Sequence, residues 1–318
     1  VPVSALRPAW ALVLAWNEVE RTLECLTSIR ALDPAPDRVL LVDNGSTDGT
    51  AGRVKAAFPE VEILALGQNR YFAGGVNAGL SHALEAGARS VLLLNNDLVL
   101  ERGALGRLLE ALEADPRRGA ASPKLYYFEQ PDRIWFAGGM VSRGVGLIRH
   151  RGVNRKDDAF RDGPRAIDYV SGAAALLSRS AIEKAGRLDP DYVIYVEDVD
   201  WSARARAAGF TLWYEPAARG WHHVSAASGG GLTPLKAYFR LRSGGLYLTR
   251  HTGLAARPLQ WLAYAAWTGV LWLRAVARGD GTVASALALG LVDFTRYLIG
   301  WPPPPRTPES FARPAPRR

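Results

Sequence analysis

The chain has 318 residues, 48% of them hydrophobic and 22% charged, and its 39 Lys and Arg against 31 Asp and Glu leave a formal net charge of +8. That composition excludes an intrinsically disordered chain, and the length suits one large α/β domain with additions or two domains. The single cysteine, Cys25, excludes an internal disulfide. It falls in the apolar spacing Leu23, Leu26, Ile29 of a helix, which reads as a buried, inert thiol.

Residues 10–15 read as a first strand, because the apolar run there has no basic leader and no cleavage site after it. Residues 18–32 have helical spacing and stop before Asp33-Pro34. Residues 38–42 form a second strand running into Asp43-Asn44-Gly45-Ser46-Thr47-Asp48, which suits a tight turn and a helix N-cap. A helix to residue 58 follows, then a strand at 61–66. The stretch QNRYFAGGVNAG (68–79) reads as a loop entering a helix that ends near residue 86. Residues 90–94 form a continuous apolar strand. Strands alternating with helices at this spacing predict a parallel sheet with right-handed crossovers.

Beyond residue 101 the pattern is less regular. A helix is predicted over 105–114, strands over 120–127, 133–137 and 169–177, and a short helix over 180–185. Residues 138–166, rich in Gly, Arg and Asp, predict a mobile loop. The acid-rich stretch 189–200 leads into a helix over 199–208, a strand over 210–214, and then Trp221-His222-His223. Residues 259–273 and 282–301 are Trp-bearing apolar runs, the first too short for the about 18 to 20 apolar residues of a spanning helix. They predict two helices, packed together or lying on a membrane surface. From Arg257 onward there are eight Arg, no Lys and three acids, which suits anionic phosphates or lipids as well as simple solvation. The Pro-rich residues 302–318 predict disorder.

In open α/β sheets ligands bind beyond the carboxyl ends of the strands. Strand one ends in Ala15-Trp16-Asn17-Glu18 and strand two in Asp43-Asn44. Strand three leads to Asn69 and the Gly74-Gly75-Val76-Asn77 turn, and strand four ends in Asn95-Asn96-Asp97. Asp43 there can accept hydrogen bonds from a base edge or a ribose. The glycines would let backbone N–H groups approach a pyrophosphate, and Asp97 would hold the Mg²⁺ or Mn²⁺ that neutralises it. No G-x-G-x-x-G and no G-x-x-x-x-G-K-[ST] occurs, which disfavours a Rossmann dehydrogenase and a P-loop enzyme. Glu197-Asp198-Val199-Asp200 reads either as charge complementing a helix N-terminus or as a general base with a neighbouring acid shaping its pKa. His222 and His223 follow a strand, and either is a core or surface residue or a metal ligand.

The stretches LAWNE, LLVDNGSTDGT, QNRYFAGGVNAG, LLLNNDL, YVSGAAALL, LDPDYVIYVEDVDWSARARAAG and WHHVSAASGG, in that order from residue 11 to about 231, resemble the family 2 glycosyltransferases, particularly their rhamnosyltransferase-like branch. The resemblance implies a GT-A fold: an α/β, Rossmann-like, mostly parallel sheet flanked by helices, here with a C-terminal helical extension. It implies a catalytic domain over 1–232, with nucleotide-sugar binding in about 1–100 and acceptor binding and the base in about 101–232. A helical region over 233–301 and a tail over 302–318 would follow. The implied activity is inverting transfer of one sugar, rhamnose first, from a nucleotide-diphosphate sugar to a saccharide or polyprenyl-linked acceptor. The implied donor site comprises Ala15, Asn17, Glu18, Asp43, Asn69, Gly74, Gly75, Asn77, Asn95 and Asn96. Asp198 would be the base, Gly172, Glu197 and Trp201 would face the acceptor, and Asp97 and His222 would hold the metal. Asn95 stands where the family's D-x-D motif has its first Asp, and Tyr71 where the family commonly has Gly. The expected setting is cytoplasmic, at the inner face of the membrane, with peripheral contact through 257–301 and no nucleic-acid partner. A non-catalytic nucleotide-sugar-binding protein and a sugar nucleotidyltransferase are the alternatives.

Overall fold

A computed structural model describes residues 5–142, 147–224, 232–253, 256–299, 301, 306 and 311. Its first half alternates strand and helix: β1 (Ala9–Ala15), α1 (Val19–Arg30), β2 (Arg38–Asp43), α2 (Thr50–Ala57), β3 (Glu62–Ala65), α3 (Tyr71–Glu85) and β4 (Ser90–Asn95). Then come β5 (Leu98–Leu100), α4 (Ala104–Glu113), β6 (Arg118–Tyr127), β7 (Gln130–Phe136), β8 (Gly139–Val141), β9 (Ile148–His150), β10 (Arg165–Ile167) and β11 (Ala174–Ser178). The chain continues through α5 (Arg179–Ala185), α6 (Glu197–Ala207), β12 (Thr211–His222), α7 (Pro234–His251), α8 (Arg257–Ala277) and α9 (Gly281–Leu298).

The sheet runs β10-β12-β6-β11-β4-β1-β2-β3, with β5 added to β12 and β7 to β6. β1 lies parallel to both β2 and β4, and β2 parallel to β3. Every residue of β1 is buried, as are the first five of β4. This is why both strands read as unbroken apolar runs rather than alternating ones. The sheet is mixed, because β11 inserts antiparallel between β4 and β6. That strand returns by way of a chain excursion rather than a helical crossover, so the parallel pairing expected of the first four strands holds there and the whole sheet is mostly parallel.

Three local expectations are corrected. QNRYFAGGVNAG is mostly helix: α3 starts at Tyr71, so Gly74, Gly75 and Asn77 lie inside it and form no turn. A Cβ on Gly79 would come within 2.6 Å of Leu12 Cδ1 and Val42 Cγ2, and one on Gly75 within 2.5 Å of Leu14 Cδ1. Those glycines let α3 lie close on β1 and β2. Residues 138–166 carry the short strands β8, β9 and β10 rather than a bare loop, with 143–146 outside the described residues. The strand expected at 210–214 extends to His222, its length hidden by the irregularity between Glu215 and Arg219. The expected tail over 302–318 lies outside the described residues apart from Arg306 and Phe311.

The chain divides into two compact units. One holds the sheet and α1 to α6. The other comprises Val141–Ile148, Asp191–Val196 and the described residues beyond Val224, dominated by α7, α8 and α9. In this helical unit Thr233 caps α7 by accepting from the Lys236 N–H, with Pro234 at the first helical position. The fully buried Asp293 of α9 accepts from the Tyr238 hydroxyl at 2.8 Å and Arg306 Nε at 2.8 Å. Gly245 of α7 faces the Phe294 ring, and an added Cβ would lie 2.0 Å from Cδ2. A helical Gly→Ala exchange ordinarily gains about 0.5–1 kcal/mol, whereas overpacking a core costs about 1–3 kcal/mol. Against a ring that close the second effect wins. Gly245→Ala should therefore lower the denaturant midpoint, and a rise in midpoint would show that α7 and α9 are not packed this way.

Candidate active site

The polar residues at the carboxyl ends of β1, β2 and β4 form one hydrogen-bonded rim. Asp43, buried at the end of β2, accepts from the Ser46 N–H at 2.9 Å. Asn17 donates its N–H to Ser46 Oγ at 2.8 Å, and its Oδ1 accepts from the Thr47 N–H at 2.8 Å. The turn after β2 is thus clamped to the end of β1. Asn44 Oδ1 accepts from the Arg70 N–H at 2.8 Å, and Nδ2 donates to Asn69 Oδ1 and to the Tyr71 carbonyl, each at 3.0 Å. Asn69 Oδ1 also accepts from the Tyr71 N–H. These bonds hold Tyr71 at φ 57, a left-handed conformation that a bulky residue rarely adopts and a glycine adopts freely.

Beyond β4, Asn96 Nδ2 donates to the Asn17 carbonyl at 3.1 Å and to Thr22 Oγ1 at 2.9 Å, tying the turn to α1. Asp97 Oδ1 lies 3.1 Å from His222 Nε2, the last residue of β12, because β5 pairs antiparallel with that strand and sets Leu98 opposite His222. The His222 Nδ1 is covered and has no partner among the described residues, and the edge of its ring meets Trp135 at 4.5 Å. One carboxylate oxygen and one imidazole nitrogen converging in this way suit a divalent cation that takes its remaining ligands from a substrate. Among the described residues no group of three or more His, Cys, Asp or Glu could hold a metal. His223 faces away, with its ring nitrogens 3.1 Å from Glu129 Oε1 and 3.0 Å from Glu24 Oε2.

The second half of the site joins β4 through β11. Asn95 N–H donates to the Ala173 carbonyl at 2.9 Å, and one residue earlier Gly172 N–H donates to Asp198 Oδ2 at 2.9 Å. The other Asp198 oxygen accepts from the Val199 N–H at 2.8 Å. Both oxygens are therefore aimed by backbone donors, at the rim of a small cavity lined by Phe72, Val170, Leu188 and Trp201.

Residues 10–186 match the family described as "Glycosyl transferase family 2". The chain belongs to glycosyl transferase family 2. Among curated relatives, an N-acetylglucosaminyl-diphospho-decaprenol L-rhamnosyltransferase of Mycobacterium tuberculosis is 28% identical over 74% of this chain and 82% of its own. A poly-beta-1,6-N-acetyl-D-glucosamine synthase of Staphylococcus aureus is 23% identical over 72% of this chain and 53% of its own. Among solved structures, a mannosyltransferase from Pyrobaculum calidifontis, in complex with GDP-Man and Mn²⁺, superposes with a TM-score of 0.55 at 19% identity, over 92% of this chain and 87% of that one. GalNAc-T7 with UDP, GalNAc and Mn²⁺ superposes with a TM-score of 0.58 at 14% identity, over 77% of this chain and 50% of that one. The fold is GT-A, and the protein is a glycosyltransferase.

In this glycosyltransferase the structure brings Asn17, Asp43, Asn96 and Asp97 to one rim, and Asp97 to His222. It assigns other duties to several residues expected to touch ligand. Gly75 is a packing residue under Leu14, and Asn77 clamps the Leu188 backbone from both sides at 2.8 and 2.9 Å. Gly74 sits in the helix above Arg70. Asn69 is spent on the start of α3, and the Ala15 carbonyl on the Asn44 N–H. Glu18, at φ 61, opens α1 and pairs with Arg21. Trp201 is 1% exposed, donates its indole N–H to the Gly186 carbonyl at 2.9 Å, and lines the small cavity beside Asp198. Trp135, which borders His222, carries no local signal in the sequence. Its proximity comes from the pairing of β7 on β6.

Burial, with the charges of Asp198 and then Asp200 beside it, holds Glu197 well above the usual carboxylate range. Its Oε2 has no partner among the described residues. Burial also raises Asp198, against the opposing pull of the Gly172 and Val199 N–H groups. Carboxyls raised in this way bind more protons folded than unfolded. Their contribution is complete below the ordinary carboxylate range and is lost as pH rises through the raised values. Replacing Glu197 by Gln removes one such group. Urea unfolding of Glu197→Gln should lose less stability than the parent as pH rises above the ordinary carboxylate range, and equal slopes would show that Glu197 does not titrate in the folded state.

Proposed function

We propose that this glycosyltransferase is an inverting enzyme that moves one sugar, rhamnose first in line, from a nucleotide-diphosphate sugar to a hydroxyl of a lipid-linked saccharide. The observation that carries the reading is the bonded path from Asn95 through Ala173 and Gly172 to Asp198. It couples a carboxylate with two backbone donors to the strand end where the donor is expected. The mycobacterial relative, a rhamnosyltransferase named for a decaprenol-linked acceptor, supports the choice of sugar and of a lipid-linked acceptor.

A sugar hydroxyl is a weak nucleophile, and Asp198 would take its proton as it attacks the anomeric carbon. Two N–H bonds fix the carboxylate of Asp198, which belongs to the lining of the cavity. A positioned base of this kind contributes about 10²- to 10⁴-fold. Asp43 would receive the base or ribose of the donor, with Asn17 and Ser46 holding its turn in shape. Asp97 and His222 would hold Mg²⁺ or Mn²⁺, which when bound offsets charge on the leaving diphosphate.

Paired variants test this reading. With a panel of nucleotide-diphosphate sugars, the parent should release nucleoside diphosphate fastest from one donor. Asp198→Asn should bind that donor normally while transfer falls about 10²-fold or more. Asp97→Ala should lose the Mn²⁺-dependent part of donor affinity in calorimetry. Transfer within a few-fold of the parent in Asp198→Asn would overturn the base.

A lipid-linked acceptor requires work at a bilayer, and α8 supports peripheral contact there. Among the described residues no helix is long and apolar enough to cross a membrane. Yet α8 buries Gln260, Tyr264 and Thr268 and exposes Leu259, Leu262, Val270, Leu273 and Val276. That stripe recurs at helical spacing, with Arg257, Arg274 and Arg278 beside it. Near an anionic leaflet each such Arg adds about 1 kcal/mol, screened by salt. The full chain should float with anionic vesicles at low salt, and a Leu262→Asp, Leu273→Asp variant should stay at the bottom. A parent that does not float removes the membrane contact.

A further inference from the structure

An open cleft of about 390 Å³ lies against β12 and β6, with Tyr126, Trp221 and Arg219 along it and Asp132 and Asp158 at its edge. Its size is that of a small-molecule site. From Arg219 to His222 the register with Lys124–Tyr127 is unbroken, so side chains alternate between the two faces of the sheet. Arg219 and Trp221 share one face. His222 points to the other, where it meets Asp97. The sheet itself therefore separates this cleft from the Asp97–His222 pair.

The cleft has a flat aromatic wall. The Trp221 and Tyr126 rings stack with centroids 5.9 Å apart at 23°. Tyr126 is held by its hydroxyl on Asp157 Oδ2 at 2.9 Å, and Asp157 in turn accepts from Lys124 Nζ at 2.7 Å. The wall is thereby fixed from behind. Arg219 and Asp158 are exposed, and neither side chain hydrogen-bonds to another described residue. The Asp132 carboxylate pairs with Lys156 at 3.5 Å. An aromatic face beside uncommitted carboxylate and guanidinium forks matches a sugar ring: its C–H face packs on the indole, and adjacent hydroxyls bridge the forks. Asp132, Asp157 and Asp158 are balanced by Lys156, Lys124 and Arg219, so the cleft has no excess of positive charge to hold a diphosphate or an acidic sugar.

We propose that this cleft is a second, non-catalytic site that binds a neutral saccharide chain. It holds part of a glycan on the face of β12 opposite His222 and so raises the local concentration of that chain around the enzyme. The inference rests on the glycosyltransferase family alone, and stands or falls apart from the choice of Asp198 as base.

Calorimetry of the full chain against maltotriose, chitotriose and mannotriose, with trigalacturonate as an acidic control, tests it. At least one neutral trisaccharide should bind saturably, and trigalacturonate should bind more weakly. The Arg219→Ala, Asp158→Ala double variant, altered only at exposed positions, should lose at least about tenfold in that affinity while hydrolysing donor at the parent rate. Trp221→Leu should abolish binding, and if it does not fold the double variant decides alone. No saturable binding of any neutral sugar, or equal binding by the double variant, would overturn the proposal.

Discussion

A strand covered on both faces cannot carry a polar side chain until it leaves the sheet, because an unpaired polar group there forfeits its hydrogen bonds to water. β1 and β4 are such strands. Their apolar runs end abruptly in Asn17 and in Asn95-Asn96-Asp97, and parallel pairing sends both ends to the same edge. The chemistry of the chain collects at that edge for this reason. The polar residues there first satisfy one another: Asn17 with Ser46 and Thr47, Asn44 with Asn69 and Arg70, Asn96 with Thr22. Asp43 takes the Ser46 N–H and Asp97 meets His222 at the same edge.

The insertion of β11 antiparallel beside β4 extends that edge. It brings Gly172 to the end of β4, and Gly172 is a position where a side chain would press on Phe72 at 3.0 Å and approach Asp198 Cβ at 3.5 Å. The backbone can therefore come close enough to hold Asp198 with an N–H. Two strands further, β12 runs parallel to β6 and is capped by β5, which sets His222 against Asp97. Asp198 and the Asp97–His222 pair thus come from four segments that share one scaffold. The cost of this arrangement is borne by Glu197, buried beside two other acids and raised well above its ordinary value.

The helical unit has a different economy. Its segment Asp191–Val196 holds Val193, Tyr195 and Val196 at φ 64, 67 and 72, a strain that persists only where the surroundings over-determine it. Arg242 supplies a bond to the Asp191 carbonyl, and Ser243 supplies bonds to the Tyr192 and Ile194 carbonyls. Inside the unit a fully buried Asp293 is compensated by Tyr238 and by Arg306 from the tail. α8 turns Gln260, Tyr264 and Thr268 inward and Leu259, Leu262 and Leu273 outward, unlike an ordinary amphipathic surface helix.

The sequence by itself determined β1 to β4, their helices and the rim they deliver, because the run of apolar residues and the turn chemistry after it are local signals. It also determined the family, through motifs spread in a constant order, and singled out Asp97, Asp198 and His222. The tertiary structure alone decided what each polar residue does once it arrives. Nothing local says that Gly75 is there for Leu14, that Asn77 is spent on Leu188, or that Trp201 is sealed in the core by Gly186. These are contacts between residues far apart in the chain. β12 was legible only in its first residues, since its irregularity after Glu215 breaks the period of two on which strand reading depends. The pairing of His222 with Asp97 across 125 positions, and the opposite placement of Trp221, follow from that strand's register. Register is set by neighbouring strands, which a linear pattern does not contain.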